Sequence, residues 1–480
     1  MFDPMPWLIL SPLIWATLAF VHGPGRGGRL AVACLILQLS LAAILAQQVI
    51  AGGVRMYAVG GWGAPLGIDL MADGLSTVML LLTQTIVLPL AFYARAYFVG
   101  HANSLRYFWP LTGYLLAAMN ALFLSSDVFN IYVTLELLGL AAVGLVALVG
   151  GAGPITAAMR YLLATLLGSS AYLLGVALLY GVYGSVSLVA LKPLIAADAP
   201  ATVSLAAALM LLGLMLKTAL FPFHFWLPPA HGGAPAPVSA LLSALVIKAS
   251  FYLILRLWFD LFAPIVSITA AQLLGALGAG AILWGSFLAL RQTHLKMLVA
   301  YSTVAQVGYL FLLFPLATGM SAEVAESAWQ GGVLQVVAHG LAKAAMFAAA
   351  GAMITATGRD EISGIAGVAT RIPLTLFAFA LAGVTIMGLP PSGGFAAKWL
   401  LLGAALASEQ WWWIVVMVVG GLLSAAYVFK VLRQAFLPVE ETASFQLLPR
   451  MLEWPILLLA LASLVLGLVG IEVLSLLGAA

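Results

Sequence analysis

The chain has 480 residues, of which 64% are hydrophobic and only 7% are Asp, Glu, Lys or Arg, with a formal net charge of +3. A soluble domain carries about 25% charged residues, so this chain cannot cover a water-facing surface and is predicted to be an integral membrane protein. Its one cysteine, Cys34, excludes an internal disulfide and a zinc or iron–sulfur site built from this chain's cysteines.

Apolar segments of about 20 residues, each long enough to cross roughly 30 Å of hydrocarbon, follow one another along the sequence. They predict an all-α polytopic membrane protein with about fourteen transmembrane helices, at 6–22, 30–50, 75–95, 107–124, 128–149, 157–182, 203–221, 236–257, 270–290, 297–317, 329–356, 373–404, 411–435 and 454–476. The gaps between them are too short for a soluble domain. We therefore expect one membrane domain over residues 1–480, without a cleavable signal peptide.

The basic residues of the loops fall mainly on one side of the membrane. Alternate loops hold twelve Lys or Arg residues, and the loops of opposite parity hold three, namely Arg55, Lys192 and Arg256. Because cytoplasmic loops carry the excess of Lys and Arg, the side with twelve is predicted to be cytoplasmic. Both termini are then expected on the outer side of the inner (cytoplasmic) membrane of a prokaryote.

Five ionisable residues lie near the middle of predicted spans: Glu136, Lys217, Lys248, Lys343 and Lys398. A charge at the bilayer centre costs at least ~2.5–3.5 kcal/mol on insertion scales. A lysine near a helix end can extend its amine to the interface, but a lysine with apolar residues on both sides cannot. These residues are predicted to be functional, and the alternative is that some of them form buried structural pairs.

Buried amines of this kind suit proton transfer. Burial makes the charged form of a lysine less favourable, so the amine can gain and lose a proton near neutral pH. His339 and Lys343 are four residues apart and share a helix face, and His224 and His231 lie in the segment after Lys217. A row of lysines joined by water and histidine is therefore predicted to conduct protons, with Glu136 as a movable counter-charge.

Two predicted spans are interrupted by proline and glycine beside a lysine. "LFPFHFWLPP" follows Lys217 closely, and "GLPPSGG" precedes Lys398. Proline removes a backbone donor, and broken backbone at membrane depth is tolerated only where it lines a buried or watery cavity. The two breaks indicate inverted repeats around an ion path, one over spans four to eight (107–257) and one over spans nine to thirteen (270–435).

Several long motifs occur in an order typical of one known family. "KTALFPFHFWLPPAHGGAPAPVSALLSALVIK", "LEL" around Glu136, "HLKMLVAYSTVAQVGY", "HGLAKAAMF" and "GLPPSGGFAAKWLL" resemble the antiporter-like subunits shared by respiratory complex I (M- and N-type subunits), Mrp-type cation/proton antiporters (the D-type subunit) and membrane-bound hydrogenases. The resemblance covers roughly residues 65–440. It implies fourteen helices, with two inverted five-helix repeats and broken helices 7 and 12.

The resemblance also implies a hydrated charged axis along the membrane plane. The residues that it assigns to this axis are the helix-5 glutamate Glu136, the helix-7 lysine Lys217, the helix-8 lysine Lys248, the helix-11 pair His339 and Lys343, and the helix-12 terminal carrier Lys398. His224 and His231 are accessory candidates. No cofactor, metal or nucleic acid is implied, and the expected partners are other membrane subunits and the lipid bilayer.

The sequence departs from parts of the family pattern. Many M-type subunits have glutamate where Lys398 stands, and the D-type subunits of Mrp antiporters usually carry a tyrosine-rich segment where this chain has "AHGGAPAPVS". The chain ends just after the last predicted span, without the long lateral helix of L-type subunits. The branch within the family therefore stays open.

Other polar features are weaker signals. "GPGRGG" at 23–28 matches a dinucleotide-binding pattern but follows a membrane span rather than a strand, so it is interpreted as a flexible cytoplasmic loop. Asp127 is expected to cap the fifth span. Asp69 and Asp73 are either helix caps or part of an ion funnel.

The leading functional hypothesis is a proton-translocating subunit of a multisubunit ion-pumping or cation/proton antiport complex. The same chain could serve a quinone- or hydrogenase-linked redox complex such as NADH:quinone oxidoreductase, although it offers no redox ligands of its own. A self-sufficient transporter is a weaker alternative, since a solute pocket usually clusters its polar groups in one place. Because only one mid-membrane carboxylate lies beside four lysines, the sequence favours H⁺ as the ion that moves through this chain. Any Na⁺ path would then lie elsewhere in the complex.

Overall fold

The computed structural model describes residues 2–438 and 445–478, and helices dominate both ranges. In chain order the helices are α1 Met5–Gly52, α2 Gly74–Tyr97, α3 Ala102–Leu124, α4 Val128–Val146, α5 Ala152–Tyr183, α6 Leu188–Leu191, α7 Ala201–Thr218, α8 Leu227–Gly233, α9 Ala236–Leu241, α10 Ile247–Leu255, α11 Ile268–Arg291, α12 Leu295–Phe311, α13 Leu313–Ala317, α14 Ala322–Thr357, α15 Val368–Arg371, α16 Pro373–Met387, α17 Gly393–Ala407, α18 Trp411–Ala435, α19 Arg450–Val465 and α20 Gly470–Leu477. Eleven helical segments of the described chain are long and apolar enough to cross a membrane, or up to 12 if a bent pair counts as one span.

The long first helix is a hairpin of two antiparallel halves. Gly23 breaks it with a φ of 76°, and the Gln48 side chain then reaches the carbonyl of Phe2. The Gln38 side chain likewise reaches Ser11. In one continuous helix such residues would lie about 40 Å or more apart. α1 therefore holds both of the first two predicted spans, and residues 24–28 are helical rather than the loop expected from "GPGRGG".

A small β-hairpin and two helix caps follow on the loops of one face. Strands β1 (Arg55–Ala58) and β2 (Asp69–Ala72) pair antiparallel. Asp73 caps α2 through a capping box with Ser76. Asp127 caps α4 by accepting the Asn130 N–H at 2.7 Å, which confirms the predicted cap and satisfies one of the free amides of that helix end.

Both predicted helix breaks are present. α7 ends at Thr218, Ala219 adopts a left-handed φ of 57°, and a 3₁₀ turn leads into α8. The Leu216 carbonyl, which also accepts the Ala219 N–H, accepts a 2.9 Å hydrogen bond from Trp226 Nε1, and the Trp226 ring stacks on Tyr161. Near the other lysine, α16 ends at Met387 and α17 begins at Gly393. The backbone is thus interrupted where the sequence places its prolines.

The centre of the molecule is built from α14 and the α9–α10 segment, which are buried along their apolar stretches. A π-helical turn at Leu242–Val246 joins α9 to α10, and α14 packs against α12, α16, α17 and α19. One boundary differs from the prediction: the expected last span, 454–476, consists of α19 and the short α20. The hydropathy of that region is continuous, so the interruption at 466–469 left no signal in the apolar pattern.

Candidate functional site

Glu136 on α4 and Lys217 on α7 form an ion pair without a hydrogen bond. Lys217 Nζ lies 3.9 Å from Glu136 Oε1, beyond hydrogen-bond range. The amine instead donates to Thr165 Oγ1 on α5 at 2.6 Å, and Glu136 Oε1 is buried without a partner among the described residues. The two charges attract across a gap, and a small shift of either helix would change that attraction.

Lys248 lies on α10, directly after the π-helical turn, and is fully buried. Its ammonium donates to the backbone carbonyl of Ser243, which lies in that turn. The Ser243 hydroxyl in turn meets Thr303 Oγ1 on α12 at 2.9 Å.

Lys343 lies on α14 and is also fully buried. Its ammonium donates to Ser302 Oγ on α12 and to the carbonyl of Val299 at 3.2 Å. Thr303, the neighbour of Ser302, also bonds the Val299 carbonyl, at 3.0 Å. The hydroxyls of α12 therefore lie between the binding positions of Lys248 and Lys343.

Two buried histidines accompany these lysines. His339 lies one helical turn before Lys343 on α14, and His231 on α8 packs against Phe347 with ring centroids 5.1 Å apart. Both rings are 1% exposed, and none of their four nitrogens has a hydrogen-bond partner among the described residues. Buried polar groups normally have a partner, and ordered water often supplies it.

Lys398 on α17 occupies the second break. Its ammonium donates to the Ile386 carbonyl at 2.8 Å and approaches the Met387 carbonyl at 3.4 Å. These carbonyls belong to the last turn of α16, where no helical N–H follows to bond them. The ammonium also lies 4.3 Å from the ring centre of Tyr309, within the range of a cation–π contact.

The predicted site residues thus form one close group, and the Glu136–Lys217 pair and His224 lie outside it. Lys248 and Lys343 are joined through neighbouring hydroxyls of α12, since Lys248 bonds Ser243, which meets Thr303, and Lys343 bonds Ser302. His339 lies one helical turn from Lys343 on the same face of α14. Lys217 pairs only with Glu136. His224 stacks on Phe221 and is half-buried, and no hydrogen bond or ion pair within the described chain joins it to Lys217.

Comparison with known proteins identifies the family of this chain. A family model described as NADH:quinone oxidoreductase/Mrp antiporter, TM, matches residues 125–424. The N-type subunit of the NADH-quinone oxidoreductase of Desulforudis audaxviator is 37% identical over 98% of this chain and 96% of that protein. The chain belongs to this family. The resemblance predicted from its motifs is confirmed.

Subunits of Mrp-type antiporters are also among its relatives. The D-type subunit of the Na(+)/H(+) antiporter of Bacillus subtilis is 30% identical over 75% of this chain and 71% of its own length. A chain in the structure of the Mrp complex from Dietzia sp. DQ12-45-1b superimposes with a TM-score of 0.89 at 27% identity, covering 99% of this chain and 96% of that one. The chain is therefore a multi-pass membrane protein of the antiporter-like subunit type.

Sequence reasoning missed a buried ion cluster in this antiporter-like protein. Arg256, counted as a loop residue, is 7% exposed. It contacts Asp73 and, at 2.9 Å, Asp260, and donates to Tyr252 OH at 3.0 Å. Burial by itself would raise the pKa of Asp73, but the Arg256 guanidinium and the Ser76 hydrogen bonds outweigh it, so the pKa lies below its ordinary value.

The polar partners of the axis lysines were also missed. Thr165, Ser302 and Thr303 are single hydroxyl residues within apolar spans, and such residues commonly bond a carbonyl of their own helix. Their only sequence signal is that each lies inside a predicted span, as the lysines do. Which of them meet a lysine depends on tertiary packing.

Proposed function

We propose that this chain is a proton-translocating subunit of a multisubunit membrane complex, in which protons move along Glu136, Lys217, Lys248, His339, Lys343 and Lys398. The observation that carries the proposal is how the lysines are bound. Within the described chain, Lys248, Lys343 and Lys398 contact hydroxyl and carbonyl oxygens but no carboxylate within salt-bridge distance. A buried lysine that serves structure is normally paired with an acid.

This way of binding a lysine suits a proton carrier. A neutral amine can keep a hydrogen bond to a carbonyl, and no buried carboxylate is left unpaired when the proton departs. In a buried ion pair, by contrast, loss of one charge leaves the other charge buried and unpaired, which costs about 3–5 kcal/mol. Lys217 is the exception, because Glu136 biases it toward the charged form.

The contacts between loops support fourteen crossings, and the excess of basic residues on one set of loops supports both termini outside. Loops predicted to be external touch one another: Leu70 bridges Ser125, and Asp127 bridges Ser187. Loops predicted to be cytoplasmic do the same, since His294 bridges Glu361. When α1 counts as two spans, and α7–α8 and α16–α17 count as one broken span each, all of these contacts join loops that lie on the same side of the membrane.

The positions of the two breaks support the inverted repeats, 107–257 and 270–435. In each proposed repeat the interrupted span is the fourth of five, and each interrupted span carries a mid-membrane lysine, Lys217 or Lys398. Broken helices in corresponding positions are the feature that such repeats use to line an ion path.

Protons are the ion that this site fits best. A dehydrated Na⁺ needs several oxygen ligands, and among the described residues no three His, Cys, Asp or Glu side chains come close enough to hold a metal ion. The axis offers four amines and one carboxylate, and the amines repel a cation. Any Na⁺ path would then run through another subunit.

The relatives leave two kinds of complex open, an antiporter and a redox-linked pump. Their names include both a Na(+)/H(+) antiporter and an NADH-quinone oxidoreductase. Purification of the native complex in mild detergent distinguishes them: flavin- or iron–sulfur-containing subunits would indicate a redox pump, and only small membrane subunits would indicate an antiporter.

The proposal is tested with the native complex in vesicles that contain a pH-sensitive dye. Lys217→Ala and Lys398→Ala should each abolish driven proton uptake, because a proton cannot cross the resulting gap without an ordered chain of water. Lys192→Ala, an exposed loop lysine, is the matched control and should keep the native rate. Native rates in both axis variants would refute the lysine axis.

A further inference from the structure

A line of buried hydroxyls leads away from Lys343. Its ammonium donates to Ser302 Oγ on α12, and Gln306, one helical turn further along the same face of α12, lies 3.4 Å from Ser424 Oγ on α18. The Tyr427 hydroxyl donates to Ser424 Oγ at 3.0 Å. Each of these side chains is fully buried, so solvent does not compete for their hydrogen bonds.

The same line approaches Lys398 from the other side. Gln306 Nε2 donates to the Ile386 carbonyl at 3.2 Å and lies 3.4 Å from Ser424 Oγ. The Lys398 ammonium donates to the same Ile386 carbonyl at 2.8 Å. One amide group therefore separates the end of the hydroxyl line from the lysine of the second break.

We infer that Tyr427 is a proton-relay residue between Lys343 and Lys398, and that Gln306 is a positioning residue at the end of this relay. The inference rests on the proposed function and specifies one step of it. A hydroxyl can accept one proton while it donates another, and Ser302, Tyr427 and Ser424 supply three hydroxyls in sequence. An amide has separate donor and acceptor atoms and holds geometry instead.

The net result of the transfer is that one proton moves from Lys343 to Lys398. The Ser302 hydroxyl, which bonds the Val299 carbonyl at 2.8 Å, turns toward Tyr427 and passes its own proton to the Tyr427 oxygen as charged Lys343 gives a proton to Ser302 Oγ. The Tyr427 proton passes to Ser424, and the Ser424 proton passes to neutral Lys398. Each hydroxyl ends with one proton, Lys343 ends neutral and Lys398 ends charged.

The last step requires Lys398 to move. Its ammonium must leave the Ile386 carbonyl to meet Ser424 Oγ, and a lysine has a flexible four-carbon stem that permits this. Gln306 keeps the Ile386 carbonyl and Ser424 side by side. The amide thereby defines the two positions between which the amine moves.

The test compares two buried tyrosines in the native complex reconstituted in vesicles. Tyr427→Phe should lower driven proton flux by about a hundredfold, the low end of what a positioned proton-transfer group contributes, with assembly intact. Tyr93→Phe is the matched control: it removes an equally buried hydroxyl, which donates to the Ala348 carbonyl and lies off the line. It should keep the native flux.

A second pair of variants separates relay from packing. Ser302→Ala should lower the flux as Tyr427→Phe does, and Ser302→Thr, which keeps a hydroxyl, should restore most of it. Native flux in Tyr427→Phe while Lys343→Ala is inactive would overturn this inference and leave the proposed function standing. Native flux in Lys343→Ala itself would instead count against the proposed function.

Discussion

Lys217 is the axis lysine with a carboxylate nearby, and that carboxylate is loosely held. The 3.9 Å gap to Glu136 keeps the Coulomb attraction without the directional bond that would fix it. At close range the carboxylate favours the charged amine, and at a greater distance burial favours its neutral form. One unit of pKa corresponds to about 1.4 kcal/mol, so in the proposed mechanism a modest separation of the two side chains releases the proton of Lys217.

Removing the Glu136 charge should therefore uncouple transport. Glu136→Gln keeps the shape and should abolish most driven proton flux while the complex still assembles, and Glu136→Asp should retain part of it. Flux measured in Glu136→Gln/Lys217→Ala should be no lower than in the more damaging single variant, because residues that act as a unit are not additive. Full flux in Glu136→Gln would make Glu136 a structural acid.

The Asp73–Arg256 pair should stabilise the folded protein. Asp73→Asn leaves Arg256 with Asp260 alone and should cost about 3 kcal/mol, toward the low end for breaking a buried pair. The Asp260 side chain is 47% exposed, so Asp260→Asn should cost about 0–1 kcal/mol. Thermal unfolding in detergent would compare the two, and equal losses would contradict the assignment.

The pH dependence of that stability follows from the same pair. The pKa of Asp73 is lowered by folding, so its contribution is present above the ordinary carboxyl value of about 3.9. The contribution is lost as the pH falls through the lower folded-state value. The stability difference between the native protein and Asp73→Asn should therefore hold from pH 7 to about pH 5 and shrink below about pH 4.

At the scale of elements, the second helix break provides the binding position of Lys398. Gly388 ends α16 with a φ of 80°, and a methyl group added there would lie 2.7 Å from Lys398 Cδ. Its neighbours Ile386 and Met387 supply the carbonyls that bind the ammonium. The turn thus sets both the direction of the chain and the position of the amine.

Gly388→Ala should displace Lys398 and lower proton flux more than its effect on stability would predict. The left-handed backbone alone costs about 1–2 kcal/mol for a residue with a Cβ. Gly184→Ala is the control, since Gly184 has a φ of 64° and nothing within 4 Å of the added methyl group. Equal flux in the two variants would show that the contact with Lys398 is unimportant.

Sequence patterns predicted the elements better than the contacts between them. Prolines beside Lys217 and Lys398 located both breaks, because proline acts locally on the backbone. The ion pair of Arg256 with Asp73 was missed, since the two residues are 183 positions apart and no local pattern joins them. The hydroxyl partners of the lysines were missed for the same reason.

At the scale of the whole molecule, the proposed axis has proton carriers, and the described residues include no group that would supply energy to it. The described chain is a membrane bundle with short loops, and the cluster of Lys248, Lys343 and His339 is enclosed by its own helices. Expressed and reconstituted alone, the chain should show little cation-dependent proton exchange. Robust exchange by the purified single chain, measured with a pH-sensitive dye, would favour a self-sufficient transporter.

The central claim is that the buried lysines gain and lose protons, and Lys248 tests it most directly. Lys248→Arg keeps a positive charge that cannot be deprotonated in a protein, and Lys248→Met removes the charge. In vesicles containing the assembled complex, we expect both variants to lose driven proton flux to a similar extent. Flux near the native rate in Lys248→Arg, with loss only in Lys248→Met, would show that a fixed charge is enough and would contradict the proton-carrier account.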